Sequence, residues 1–195
     1  MKDVERELWD QYGLVCGVDE AGRGPLAGPI FAAAVILPQG LEIAGLDDSK
    51  KLSAKKREAL FDVICERAIC FSVASASEKE IDEFNILNAT FLAMNRAVSG
   101  LSHIPGLALI DGNRSEGLEL ANRTVTGGDG IYSCIAAASI LAKVSRDRYM
   151  CRMAEKYPGY AFEKHKGYGT KLHYEKLREL GPSEIHRKTF LKKLH

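Results

Sequence analysis

Asp19 and Glu20 stand side by side at the end of a short apolar run, Leu14 to Val18, and directly before the glycine-rich break Gly22-Arg23-Gly24-Pro25. Neighbouring side chains on an extended strand point to opposite faces. Both carboxylates therefore reach one site only where the strand ends, and the glycines supply that ending. Asp111 holds the equivalent place after the apolar run Leu107 to Ile110, just before Gly112-Asn113. Asp129 lies in Gly127-Gly128-Asp129-Gly130, ahead of a long apolar helical stretch. Strand ends are where α/β sheets commonly place their sites. Carboxylates gathered without His or Cys neighbours are hard oxygen donors of the kind Mg²⁺ and Mn²⁺ prefer. Without a cation such groups repel one another and raise each other's pKa. Two ions about 3.5–4 Å apart activate a water and stabilise the leaving oxygen of a phosphodiester. Taken singly, each acid also reads as a turn cap; a basic surface elsewhere in the chain favours the metal reading for the set.

That basic surface lies in the C-terminal third. The 195 residues carry a formal net charge of +1, but Ala142 to His195 contribute +8 and the preceding 141 residues −7. A polyanion-binding face beside a carboxylate-rich site follows; the plainer alternative is a solvated helical surface. With 46% hydrophobic residues and this low net charge, disorder is excluded and a single soluble domain is expected. No apolar run approaches the roughly 18–20 residues of a membrane span, and Met1 to Asp10 lacks the apolar core of a secretory signal. A cytoplasmic protein with no membrane contact is expected. The five cysteines include no C-x-x-C pair, and read as buried hydrophobes in a reducing compartment rather than as a zinc site or disulfide framework.

Around these residues the periodicity predicts an α/β domain with a mixed sheet. Leu14 to Val18 and Ile30 to Leu37 form a hairpin-like strand pair, and Ile69 to Ser75 and Leu107 to Ile110 are further strands. Ser53 caps a helix over Ala54 to Arg67. Ser77 to Ser99 is one helix or two. Ser133 to Tyr157 is the clearest helix, apolar nearly all round in its first half and hence buried there, with alanines that allow close backbone approach. A loop from Pro158 to Gly169 leads to a last helix, Thr170 to Leu180. The glycine turn does not make a nucleotide site: Gly22, Gly24 and Gly28 are spaced one residue too long for the dinucleotide fingerprint, and Pro25 removes an amide that a pyrophosphate needs.

At this point the residues resemble a family. Val18-Asp19-Glu20-Ala21-Gly22-Arg23-Gly24-Pro25 with Ala27-Gly28-Pro29 is similar to the opening signature of ribonuclease HII, the type 2 ribonuclease H, in its bacterial form. The resemblance continues through Asp48-Ser49-Lys50-Lys51-Leu52-Ser53, Ile110-Asp111-Gly112-Asn113 and Gly128-Asp129. It then covers Ile135 to Val144, Arg146-Asp147, Lys166-Gly167-Tyr168-Gly169-Thr170 and His186-Arg187-Lys188-Thr189-Phe190. It implies a ribonuclease H-like fold, with a catalytic domain over 1–160 and a C-terminal loop and helices over 161–195 packed on it and contributing to substrate binding. It implies hydrolysis of RNA in RNA/DNA hybrids and incision 5′ of single ribonucleotides in duplex DNA, leaving 3′-hydroxyl and 5′-phosphate ends, as in ribonucleotide excision repair. By position, Asp19, Glu20, Asp111 and Asp129 resemble the four carboxylates that hold two divalent ions, Mg²⁺ or Mn²⁺. Gly22, Arg23 and Gly24 resemble the backbone cradle that senses the 2′-hydroxyl, the group separating RNA from DNA. Tyr168 resembles the ring packed on the sugar past the junction, and Lys50 and Lys143 are candidate phosphate contacts. Two positions depart from the pattern: Gly127 stands where the family usually has a base, and Cys134 where a small or aliphatic residue is usual.

Read residue by residue, Arg23 is equally a surface turn residue, whereas an aromatic between glycines on a basic loop, as at Tyr168, is placed for stacking. Asp147 beside Arg146 reads as a structural ion pair. His165, His173 and His186 lack metal-ligand spacing and read as helix-end or phosphate-facing groups, not as a catalytic base. A monomer is expected. The rival readings are a nucleic-acid-binding module without chemistry, against which the complete set of acids speaks, and a general two-metal nuclease on the same fold.

Overall fold

The computed structural model describes residues 2–46 and 52–192; Asp48 to Lys51, and with them the candidate contact Lys50, lie outside the described residues. β1 (Val15–Ala21) pairs antiparallel with β2 (Ile30–Ile36), and β2 with β3 (Cys70–Ala76). On its other edge β1 runs parallel to β4 (Leu107–Asp111), which pairs in parallel with β5 (Asn122–Val125). The sheet is thus mixed, in the order β3-β2-β1-β4-β5, as the sequence pattern predicts. β1 runs to Ala21, one residue past Glu20, before Gly22 turns the chain with φ +103°.

One helix covers each face. α3 (Glu78–Ser99) packs Ala89, Ala93 and Ala97 against the face formed by Val18, Ala32 and Ile110. Its start is a capping box: Ser77 and Glu80 exchange hydrogen bonds, so orphan N–H groups of the first turn are satisfied. At Asn85 (φ +69°) the helix breaks and restarts, the Asn85 side chain accepting from the Leu87 and Asn88 amides at 2.9 and 3.1 Å. One helix and two are therefore both fair descriptions. α2 (Ala54–Arg67), capped by Ser53 as expected, packs on the outer side of α4 (Ser133–Lys156).

α4 crosses the second face, and Ala136, Ala137, Ala138 and Ala142 are fully buried there. Small residues let its backbone approach β1 closely. A Cβ on Gly17 would lie 2.1 Å from the Cys134 carbonyl carbon. α1 (Lys2–Tyr12), not anticipated from its mixed charges, presses Leu8 against Val15, Leu107 and Tyr132. Its Glu5 carboxylate accepts the Cys134 amide at 3.2 Å, supplying the N-terminal cap that Tyr132 does not. β5 was not anticipated either: Asn122-Arg123-Thr124-Val125 has no apolar alternation, and it is a strand because β4 offers it an edge.

The expected loop over 158–169 contains a short helix, α5 (Phe162–His165), and is followed by α6 (Lys171–Leu180) and α7 (Lys188–Leu191). These pieces are stitched to the segment between β1 and β2. The Leu26 amide donates to Gly167 O at 2.8 Å, the Gly28 amide to Ile185 O at 2.8 Å, and the Arg187 amide to Leu26 O at 2.9 Å. Ala27, Met150, Tyr160, Phe162 and Ile185 fill the space beneath.

The helix–strand contact gives a direct test. Overpacking a filled core costs roughly 1–3 kcal/mol, and at Gly17 the obstruction is backbone that cannot swing away. Gly17→Ala is expected to destabilise by about 3 kcal/mol, a fall of roughly 6–12 °C in melting temperature. An unchanged melting curve would show that β1 and α4 are not held at this separation.

Candidate active site

The register of the sheet brings the first acids together. Val18 pairs with Ile110 across the parallel β1–β4 ladder, so Asp19 and Asp111, one step further on, are neighbours facing α4. Asp19 is 6% exposed. Its carboxyl accepts the Glu20 amide at 2.7 Å and is hydrogen-bonded by Ser139 of α4. Asp111 accepts the Gly128 amide at 2.7 Å. That bond fastens β4 to a 3-10 turn, Gly128–Gly130, which carries Asp129, itself buried. Burial, then the charge of Glu20, then that of Asp111 push the Asp19 carboxyl well above the ordinary carboxylate range. Glu20 is raised too, first by burial, with Arg23 at 3.6 Å opposing the shift and Asp111 adding to it.

The glycine turn beside these acids is held from below by two arginines without exposed surface. Arg187 donates to Gly22 O at 2.6 Å, Arg23 O at 2.9 Å and Gly28 O at 2.9 Å. Arg146 donates to Ala27 O, Pro29 O and Lys166 O at 2.9–3.1 Å. In a trans peptide the N–H points opposite to the C=O. With the Gly22 and Arg23 carbonyls drawn inward, the Arg23 and Gly24 amides face away from the guanidinium, and both residues are exposed.

A cleft of about 280 Å³ opens next to the acids, lined by Glu20, Ala21, Gly22, Arg57, Ser139, Ile140, Lys143 and Tyr168. Tyr168 is 40% exposed, with the Lys143 ammonium 5.6 Å and the Arg146 guanidinium 5.7 Å from its ring centre. Lys143 also pairs with Asp147 at 2.7 Å, so the structural partner of Asp147 is Lys143 rather than its sequence neighbour Arg146. Arg57 had no sequence signal, and Ser139, although inside the matched stretch Ile135 to Val144, has no role legible from its type alone: each is one polar residue on a helix, and only the packing of α2 and α4 brings them to this cleft. The histidines correct an expectation. His165, His173 and His186 sit near helix ends but are buried against one another, not turned toward phosphate.

The donor set fits hard divalent cations in kind: every candidate ligand is a carboxylate, and the buried group carries a mutual repulsion that a cation relieves. Among the described residues no three carboxylate, imidazole or thiol groups stand close enough to hold a metal ion as placed; Asp19, Glu20 and Asp111 sense one another's charge, and Asp129 is linked to them through the turn whose Gly128 amide bonds Asp111.

Residues 16–194 match the family described as Ribonuclease HII. The chain belongs to the ribonuclease HII family. It is 59% identical over 177 residues to the Ribonuclease HII of Burkholderia pseudomallei (strain 668), covering 91% of this chain and 83% of that protein. To the Ribonuclease HII of Caldicellulosiruptor saccharolyticus it is 54% identical over 190 residues, covering 97% and 93%. The crystal structure of the ribonuclease H2 from Pyrococcus horikoshii OT3 superposes with a TM-score of 0.74 at 28% identity, covering 90% and 93% of the two chains. The fold is thus ribonuclease H-like, and membership of the ribonuclease HII family makes the protein a nuclease of the ribonuclease H type, acting on RNA paired with DNA.

For this member of the ribonuclease HII family the raised Asp19 pKa has a consequence for stability. A carboxyl whose folded pKa lies above its unfolded value of 3.8 burdens the fold when ionised and relieves it as pH falls toward that value. In chelator at pH 7.5, Asp19→Asn is therefore expected to melt above the parent, with the gap narrowing as pH is lowered. A variant that melts below the parent throughout would show that Asp19 is not held against its own charge.

Proposed function

We propose that the protein cuts the RNA strand of RNA/DNA hybrids and incises duplex DNA on the 5′ side of a single embedded ribonucleotide, leaving a 3′-hydroxyl and a 5′-phosphate. Two divalent ions, Mg²⁺ or Mn²⁺, would be held by Asp19, Glu20, Asp111 and Asp129. The observation that carries this reading is the position of Glu20, which belongs both to the acid group and to the cleft walled by Gly22 and Tyr168. When bound, the ions supply activation of the attacking water and stabilisation of charge on the leaving oxygen. The water oxygen joins phosphorus, the bond to the 3′-oxygen breaks, and that oxygen departs as a hydroxyl.

The chain's own groups do the rest. Ser139 fixes the Asp19 carboxyl by a hydrogen bond. The outward Arg23 and Gly24 amides are donors for a ribose 2′-hydroxyl, and a site built around that group rejects a sugar lacking it. Tyr168 packs on the sugar past the junction, and Lys143 and Lys50 meet phosphate. Residues 161–195 contribute Tyr168 and hold the glycine turn, so the C-terminal portion works as part of the substrate site on a catalytic domain over 1–160. Acids, turn and ring all come from one chain, which supports a working monomer. A reducing cytoplasm suits its unpaired cysteines, and removal of ribonucleotides from DNA is the process this activity serves.

The deciding experiment is strand-specific incision of a duplex with one embedded ribonucleotide, with end-group analysis, with and without Mg²⁺. Cutting is expected only with the ion, and Asp19→Asn is expected to lose about a thousandfold, as removal of several kcal/mol of charge stabilisation implies. If Asp19→Asn cuts at the parent's rate, the two-ion assignment fails; if a fully deoxy duplex is cut equally well, the protein is a general two-metal nuclease instead. Tyr168→Ala should lose about tenfold at a lone ribonucleotide, the size of one lost stacking contact, and less within long hybrids. Equal losses on both substrates would remove its junction role.

A further inference from the structure

Beneath Tyr168 lies a buried histidine group that the reaction does not use. Rings of His165 and His173 stack at 4.2 Å with 16° between their planes, and His173 Nε2 lies 3.0 Å from His186 Nε2. The positions of the protons follow from their partners. The Ser183 amide donates to His186 Nδ1 at 2.8 Å, so in the neutral ring the proton of His186 is on Nε2, facing His173. His173 Nε2 accepts it, which leaves the proton of His173 on Nδ1, 2.9 Å from the carbonyl oxygen of Tyr168. Burial pulls both His173 and His186 down to about 4, so this neutral order holds near pH 7.

The same main-chain unit is gripped from other sides. The Tyr168 amide donates to His165 O at 2.9 Å, and the Thr170 amide joins His173 on the Tyr168 carbonyl at 2.8 Å. The Gly167 amide donates to His165 Nδ1 at 3.1 Å. Gly167 itself has φ +84°, and a Cβ there would stand 2.3 Å from Ala27 O, so the unit has no room to shift toward the glycine turn. The Tyr168 ring stands partly in the open cleft with Lys143 and Arg146 at 5.6 and 5.7 Å, while the main chain that carries it has both its amide and its carbonyl hydrogen-bonded.

The geometry points to His173 as a positioning residue for the reaction: its Nδ1–H fixes the Tyr168 carbonyl and so aims the Tyr168 ring into the cleft, while Ser183 and His186 set the proton order that makes His173 a donor there. The inference rests on the junction role read for Tyr168 above.

The test uses the two amides that mimic opposite sides of an imidazole. Asn places its NH₂ near the position of Nδ1, and Gln near that of Nε2. His173→Asn is expected to keep the Tyr168 backbone amide resonance and the preference for lone ribonucleotides. His173→Gln is expected to move that resonance and to lose about tenfold at a lone ribonucleotide, within the range that small misplacements cost, with smaller loss on long hybrids. The double variant Tyr168→Ala/His173→Gln should be no worse than Tyr168→Ala, the signature of two residues acting through one contact. Equal losses for the Asn and Gln variants, or additive losses in the double variant, would reduce His173 to a general structural role and overturn the proposal. A Tyr168→Ala defect with an unmoved Tyr168 resonance in His173→Gln would overturn the positioning alone. A moved resonance with no Tyr168→Ala defect would instead sink the junction reading of Tyr168, and with it any part of His173 in cleavage.

Discussion

Two guanidinium groups with no solvent contact, Arg146 and Arg187, are the constraint on which the cleft depends. Moving such a charge out of water costs several kcal/mol even after relaxation, and burial drags Arg187 down to about 9. The cost is offset by main-chain carbonyls: each arginine makes three hydrogen bonds, and five of the six acceptors lie between Gly22 and Pro29. The segment between β1 and β2 is thereby turned carbonyl-side in. Two of its glycines, Gly22 and Gly28, follow from the same packing. A Cβ on Gly22 would sit 2.1 Å from Arg146 Nε and one on Gly28 2.4 Å from Met150 Sδ, whereas one on Gly24 would meet nothing within 4 Å, so arginine and methionine side chains account for the first and last of these glycines and not for Gly24.

The acids face the opposite problem. Their positions are fixed by rigid elements, namely the β1–β4 ladder, the Asp111 carboxylate accepting from the 3-10 turn, and Ser139 on the closely packed α4. Rigid placement denies the carboxylates the freedom to move apart, so the repulsion is stored rather than relaxed. Proteins commonly accept such local conflict at functional sites and recover stability elsewhere. Here the recovery is visible in the fully buried alanine face of α4 and the apolar strands it covers.

How much of this can be read from sequence depends on how local the cause is. Asp19, Glu20 and Asp111 are legible because strand ends and glycines are short-range patterns, and α4 is legible because its apolar half spans several turns. β5 is polar and four residues long, and exists through its neighbour. Arg57 and Ser139 reach the cleft through tertiary packing alone. Arg146 and Arg187 are present in recognisable motifs, yet their partners lie 117 and 165 positions away in the clearest cases, and no periodicity relates residues across such distances. For the histidines the helix-end alternative holds and the phosphate-facing one fails, for a related reason: basic helix ends normally face solvent, and the return of the chain after Gly181 buries these three together.

A division of labour follows from where each part is anchored. The acids belong to the sheet and α4, while the Gly-Arg-Gly turn and Tyr168 belong to connecting segments that the sheet does not constrain. Arg146 joins the two segments: its guanidinium holds Ala27 and Pro29 on one side and Lys166 on the other, and stands 5.7 Å from the Tyr168 ring. The two elements assigned to recognising a ribose are therefore fixed to a pair of buried cations, Arg187 under Gly22 and Arg23, and Arg146 under Ala27, Pro29 and Lys166, the second of them on the helix whose Ser139 orients Asp19. α4 sets the distance between the sugar that is recognised and the carboxylates assigned to the reaction. Its close, alanine-lined contact with β1 is what fixes α4 relative to the strand that carries Asp19 and Glu20.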